Sequence, residues 1–193
     1  NRYSKNDTVI FNPQNANFEY NADDLIGFFS DKGISALLII NPDNPSGNYI
    51  KKSGIFKLTK WANEQSIKLI IDESFVDFVD LEEGTSLLNE EVLCKYGNLI
   101  IIKSISKSYG VPGLRLGVLA TQDKDLIDFI KKDVSIWNIN SFAEFYLQIF
   151  EKYKNEYNQS MKDFFAVRRE YIQKLSSLKN IRVIPSQANY ILC

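Results

Sequence analysis

Strand-sized apolar runs alternate with helix-sized amphipathic segments through the first two-thirds of this 193-residue chain. That order is what crossover units of a parallel sheet produce, and it confines the fold to the α/β class. Residues 9–11 read as a short strand, and 23–29 as a helix with acids in its first turn, where they complement the helix dipole. Ala36–Ile40 is a buried strand that ends in the turn-rich Asn41-Pro42-Asp43-Asn44-Pro45-Ser46-Gly47. A helix follows with Ile55, Leu58, Trp61 and Ala62 on one face, and then strands at 68–71, 99–102 and 116–120. Beyond Thr121 the texture becomes helical: 124–132, 141–152 and 161–178, the last with Phe164, Phe165, Tyr171, Ile172 and Leu175 as its apolar face. Two short strand candidates, 181–184 and 188–192, close the sequence. The expected architecture is a three-layer α/β/α unit on a mostly parallel sheet over 1–154. The start of a smaller α+β domain is expected over 155–193, in a chain truncated at both ends.

Composition removes many functions. The chain has no histidine, so by itself it cannot hold a Ser-His-Asp or Cys-His system, or a His-ligated zinc. Cys94 and Cys193 are too few for an all-cysteine metal site or a disulfide scaffold, and no metal site is expected. A formal charge of −1 offers no bulk attraction for nucleic acid or an anionic membrane. No apolar run approaches the roughly 18 to 20 residues of a membrane span. A cytoplasmic protein acting on a small molecule is the expectation.

Three polar clusters each follow an apolar strand: Asn44 to Gly47, Asp72-Glu73, and Ser104 to Lys107. In open α/β sheets the carboxyl ends of the strands line the ligand crevice, so these distant segments are expected to converge. Each cluster alone has a plain explanation as a turn, a solvated strand end or a surface lysine. A nucleotidase reading fails on the phosphate loop, because its nearest match, Gly97 to Ser104, carries Ile102 where the second glycine belongs. The run from Ser104 to Gly117 is less ordinary. Hydroxyls, an amine, glycines and Arg115 crowd one loop, as in an anion cradle that carries a nucleophile; a guanidinium there gives paired charge-assisted bonds to phosphate.

In order and spacing, Asn41-Pro42-Asp43-Asn44-Pro45-Ser46-Gly47, Asp72-Glu73-Ser74-Phe75 and Ser104-x-Ser106-Lys107-x-x-Gly110-x-x-Gly113-x-Arg115-x-Gly117 resemble the fold-type I pyridoxal-phosphate enzymes of the class I/II aminotransferases. Within them the chain is most similar to the histidinol-phosphate aminotransferase and threonine-phosphate decarboxylase branch. The resemblance implies a pyridoxal-phosphate-dependent transferase-like fold with pyridoxal 5'-phosphate as cofactor. It makes Lys107 the residue of the Schiff base and of proton transfer, with a neutral amine favoured by partial burial and by Arg115. Asp72 would keep the pyridine nitrogen protonated, Asn44 would donate to the phenolic oxygen, and Ser104, Ser106 and Arg115 would hold the phosphate. Gly113 and Gly117 would allow close backbone approach.

Phe75 departs from the tyrosine that many such aminotransferases carry there, which removes a donor to the phenolic oxygen and leans toward the decarboxylase side. The implied activity is transamination of an amino acid or amino-acid phosphate with a keto acid. The alternatives are decarboxylation of a phosphorylated amino acid and a non-catalytic cofactor-binding sensor. The resemblance further implies a homodimer in the full-length protein, with residues 137–141 near the neighbouring subunit's site. The glycine-rich phosphate loop, the ring stacked on the cofactor and the arginine that clamps the substrate carboxylate are expected outside these residues.

Overall fold

A computed structural model describes residues 7–80 and 86–193. Four strands form one mixed sheet in the order β1 (Ala36–Ile40), β2 (Lys68–Asp72), β3 (Leu99–Ser104), β4 (Gly117–Thr121). The first three are parallel and β4 runs antiparallel to β3. The helices are α1 (Ala22–Phe29), α2 (Lys52–Glu64), α3 (Glu90–Lys95), α4 (Lys124–Asp133), α5 (Ser141–Ile149) and α6 (Lys154–Ser176). This is the α/β sheet with flanking helices that the alternation predicts.

The pairing register stacks Leu37, Leu69 and Leu99 in one row and Ile39, Ile71 and Ile101 in the next. All six are buried on one face of the sheet, in the same core as Leu25 and Phe29 of α1 and Ile55, Leu58 and Ala62 of α2. Each large apolar side chain so buried contributes about 1.5–3 kcal/mol relative to exposure. Because side chains alternate along a strand, Leu38, Ile70, Asp72, Ile102 and Ser104 lie on the opposite face. Among the described residues that face is only partly covered: Leu38 is 61% exposed, Ile102 36%, and Leu119, paired with Ile102, 38%.

Helix ends follow the sequence closely. Asn21 caps α1 by accepting from the amides of Asp23 and Asp24, while Asp24 accepts from the Asn21 amide, a complete capping box. α3 lies outside the sequence expectation. It is six residues long and capped by Asn89, and its signal is only that cap followed by Glu90 and Glu91.

Three expected strands are absent. Residues 9–11 form no ladder, because Phe11 instead packs edge-on against Tyr20 and Phe28. Residues 181–184 and 188–192 are also irregular; one backbone bond, Ile184 N–H to the Leu192 oxygen at 2.9 Å, is too little for a ladder. α6 starts seven residues earlier than 161, after a 3₁₀ turn at Phe150–Tyr153, so the boundary expected at 155 falls in its first turn. Its one buried residue is charged: the guanidinium of Arg168 donates through a single nitrogen to the carbonyls of Phe78 at 2.7 Å and Ala188 at 2.8 Å. No helix of the described residues is long and apolar enough to cross a membrane.

Candidate active site

The parallel arrangement puts the carboxyl ends of β1, β2 and β3 at one edge of the sheet. Backbone bonds extend the order past the strands, from Asn41 N–H to Asp72 O at 2.9 Å and from Glu73 N–H to Ile102 O at 2.7 Å. β4 is reversed, and Gly117 pairs with Ser104, so the approach to β4 lies at that same edge. Asp72 and Ser104, the last residues of β2 and β3, and the loops that carry Asn44, Ser106, Lys107 and Arg115 therefore converge there.

Asp72 and Ser104 emerge on the open face. Ser74 fastens both: its amide and hydroxyl donate to Asp72 Oδ1 at 2.9 and 2.5 Å, and its Oγ accepts from the Ser104 amide at 3.0 Å. Among the described residues no hydrogen bond reaches Asp72 Oδ2. Phe75 is buried, with Tyr190 edge-on at 5.1 Å between ring centroids, and Lys107 Nζ lies 5.8 Å from the Phe75 centroid. Lys107 is exposed, so the partial burial expected of it is not present: it stands on a loop beyond the end of β3. Ser106 is buried and its hydroxyl reaches Leu116 O at 3.5 Å, the outer limit of a hydrogen bond. Arg115 is exposed, donates to Pro112 O at 3.4 Å and adopts φ 54, ψ 44. A left-handed backbone costs a side-chain-bearing residue roughly 1–2 kcal/mol, and such strain gathers at functional sites.

Asn44 is exposed at the tip of a braced turn. Asp43 Oδ2 accepts from the Ser46 amide at 3.2 Å and hydroxyl at 2.5 Å, and Tyr20 donates to Oδ1 at 3.3 Å. Asn41 exchanges two bonds with the Ile50 backbone at 3.0 and 2.9 Å. Gly47 has φ 74, and a Cβ there would come within 2.1 Å of Ser186 Oγ, so the segment around Ser186 rests directly on the turn. Of the two glycines expected to permit close approach, Gly117 does so, since a Cβ there would lie 3.3 Å from Lys103 O. Gly113 has open space around it among the described residues, and Gly110, at φ 64, has a backbone that favours glycine.

Ser74, Asp77, Lys103, Asn140 and Tyr190 also shape this edge; the sequence places Ser74 and Asn140 within motif segments but gives none of the five a role of its own. Their signal was weak, since each is an ordinary polar residue until folding pairs it. Asn140 caps α5 and donates to Leu114 O at 2.9 Å, tying the 137–141 segment to the Arg115 loop. Trp137 itself is 89% exposed. Burial pushes the Glu73 carboxyl above its ordinary range, offset in part by bonds from the Ser86 hydroxyl and Leu87 amide. Burial also raises Tyr190, with Asp43 and Asp72 adding to the effect.

The model of the family "aminotransferase class I and II" matches residues 2–193. The chain belongs to that family. Among curated relatives, the L-serine phosphate decarboxylase of Sulfurospirillum multivorans is 32% identical over 95% of this chain and 48% of its own length. The histidinol-phosphate aminotransferase of Ruminiclostridium cellulolyticum is 28% identical over 93% of this chain and 48% of its own. A solved decarboxylase from S. multivorans superposes with a TM-score of 0.80 at 31% identity, covering 91% of this chain and 50% of that one. The chain thus spans about half the length of the curated relatives it matches.

Membership of the class I and II family implies pyridoxal 5'-phosphate as cofactor, and the donor set fits it. One edge of the sheet supplies a primary amine for an aldehyde, hydroxyls and a guanidinium for a phosphate dianion, and a carboxylate with Oδ2 unbonded by the described residues for a protonated ring nitrogen.

Proposed function

We propose that the protein is a pyridoxal 5'-phosphate-dependent decarboxylase of a phosphorylated amino acid. Lys107 and Asp72 are its catalytic residues, and Asn44, Phe75, Ser104, Ser106 and Arg115 bind the cofactor. The reading is carried by Phe75, a hydroxyl-free ring beneath the Lys107 amine. An apolar wall solvates a carboxylate poorly, and losing neutral carbon dioxide relieves that cost. The 32% identity to serine phosphate decarboxylases supports the same choice.

When bound, the cofactor supplies the electron sink for the pair left by a broken α-carbon bond. The Asp72 carboxylate favours the protonated ring nitrogen on which that sink depends. Ser104, Ser106 and Arg115 hold the phosphate, and the braced turn offers the Asn44 amide to the phenolic oxygen. Lys107 would be the residue that holds the cofactor through its amine, and the same amine would carry the proton to the substrate α carbon.

Transamination is the second reading. It is favoured by the histidinol-phosphate aminotransferase relatives, and Lys107 would again be the proton carrier. The full chain incubated with pyridoxal 5'-phosphate and phosphoserine is expected to release carbon dioxide without a keto acid, and Lys107→Ala to release none. Amino transfer that requires a keto acid, with no carbon dioxide, would establish the second reading. Turnover of either kind would exclude a non-catalytic cofactor-binding sensor.

A further inference from the structure

Lys103 and Ser108 flank Lys107, and both hydrogen-bond one carboxylate. Lys103 Nζ lies 2.6 Å from Asp77 Oδ1, and the Ser108 hydroxyl donates to Asp77 Oδ2 at 2.6 Å. Asp77 belongs to the 3₁₀ turn Val76–Phe78, directly after the Asp72-Glu73-Ser74-Phe75 segment. One side chain therefore spans the two loops that supply the proposed amine and the proposed ring-nitrogen partner. The ion pair is well shielded, with side-chain exposures of 10% for Lys103 and 19% for Asp77.

A shielded ion pair is poor evidence of net stabilisation, because desolvation offsets much of the attraction and an apolar pair can pack as well. What an apolar pair cannot supply is a two-oxygen acceptor that fixes two separate donors in direction. Lys103 lies on the covered face of β3 and Ser108 beyond the strand end, so the two bonds clamp the loop before and after Lys107. Between the two clamped residues, the exposed Lys107 amine lies 5.8 Å from the Phe75 centroid with no hydrogen bond from the described residues.

Resting on the reading of Lys107 as the cofactor-bearing amine, we propose that Asp77 is the positioning residue for Lys107. It acts by clamping Lys103 and Ser108, and it touches neither cofactor nor substrate. Losing one arm of the clamp widens the range of amine positions and slows attachment of the cofactor aldehyde, while the remaining arm preserves the fold.

The test uses the full chain with pyridoxal 5'-phosphate as probe. In the reaction Nζ attacks the aldehyde carbon and water leaves; borohydride then adds hydride to that carbon, leaving a secondary amine that peptide mass mapping locates. Ser108→Ala, which keeps the Lys103–Asp77 pair, is expected to label Lys107 about tenfold more slowly at saturating probe, the worth of one charge-assisted hydrogen bond. Ser108→Thr, which keeps the hydroxyl, is expected to restore the rate, and Asp77→Asn to slow it at least as much as Ser108→Ala. A purely structural role would lower the melting temperature and leave the labelling rate unchanged at temperatures where the fold is intact. Wild-type labelling at Lys107 with unchanged rates in Ser108→Ala and Asp77→Asn overturns this proposal alone. Wild-type protein unlabelled at Lys107 overturns the reading beneath it as well.

Discussion

The Tyr190 hydroxyl donates to the carbonyl oxygen of Asp43 at 2.6 Å, joining the final segment of the chain to the turn that presents Asn44. The Tyr190 ring meets Phe75 edge-on, so the same residue touches two of the three converging loops. Tyr190→Phe keeps the ring and removes the hydroxyl. Its expected cost is about 1 kcal/mol, the net worth of a neutral hydrogen bond, read from the urea midpoint at unchanged slope. An unchanged midpoint would show that the bond adds nothing to the fold.

Gly47→Ala should be worse. The new Cβ meets Ser186 at its Oγ, Cβ and Cα, the last at 2.8 Å, and the backbone stays at φ 74. Left-handed strain plus an overpacked contact predicts a loss of about 2–4 kcal/mol in chemical denaturation. Adding Ser186→Gly is expected to recover only part of it, because the clash with the Ser186 backbone persists. Full recovery would place the cost in the Ser186 side chain alone.

Asp72→Asn is nearly isosteric and keeps an oxygen to accept from Ser74. It should retain pyridoxal 5'-phosphate binding, seen in visible absorption, and lose turnover by orders of magnitude, because an amide cannot hold the ring nitrogen protonated. Near-normal turnover in the full chain would remove Asp72 from the mechanism.

Glu73 gives a pH signature. Burial raises its carboxyl in the folded state, so over the interval between the unfolded and folded values the native protein binds more protons than the unfolded one. This contribution to stability is present below the unfolded value and is lost as pH rises through the folded one. Denaturation of wild type and Glu73→Gln across acidic to neutral pH should show the difference between them changing in that window. The opposite trend would mean that the Ser86 and Leu87 bonds outweigh desolvation.

The sheet was legible because its rows of Leu and Ile are strand-sized and bounded by Asn-Pro, Asp-Glu and Ser-Lys segments, each of which marks a strand end. Asp72, Ser104 and Lys107 could be placed at one edge for the same reason. The residues that organise the edge could not. Ser74, Asp77 and Tyr190 reach partners 30, 31 and 147 positions away, and such pairings leave no local period or spacing. The failed strands at 9–11, 181–184 and 188–192 have the composition of strands, but a ladder also needs a neighbour at the right register, and composition carries no information about that.

Arg168 holds the Phe78 and Ala188 carbonyls through one nitrogen, with its guanidinium 5.5 Å from the rings of both Phe164 and Phe165. At this one residue the 23-residue α6 is joined both to the turn that carries Asp77 and to the segment that carries Tyr190. Loss of that one side chain would therefore be expected to loosen the turn and the closing segment together rather than either alone.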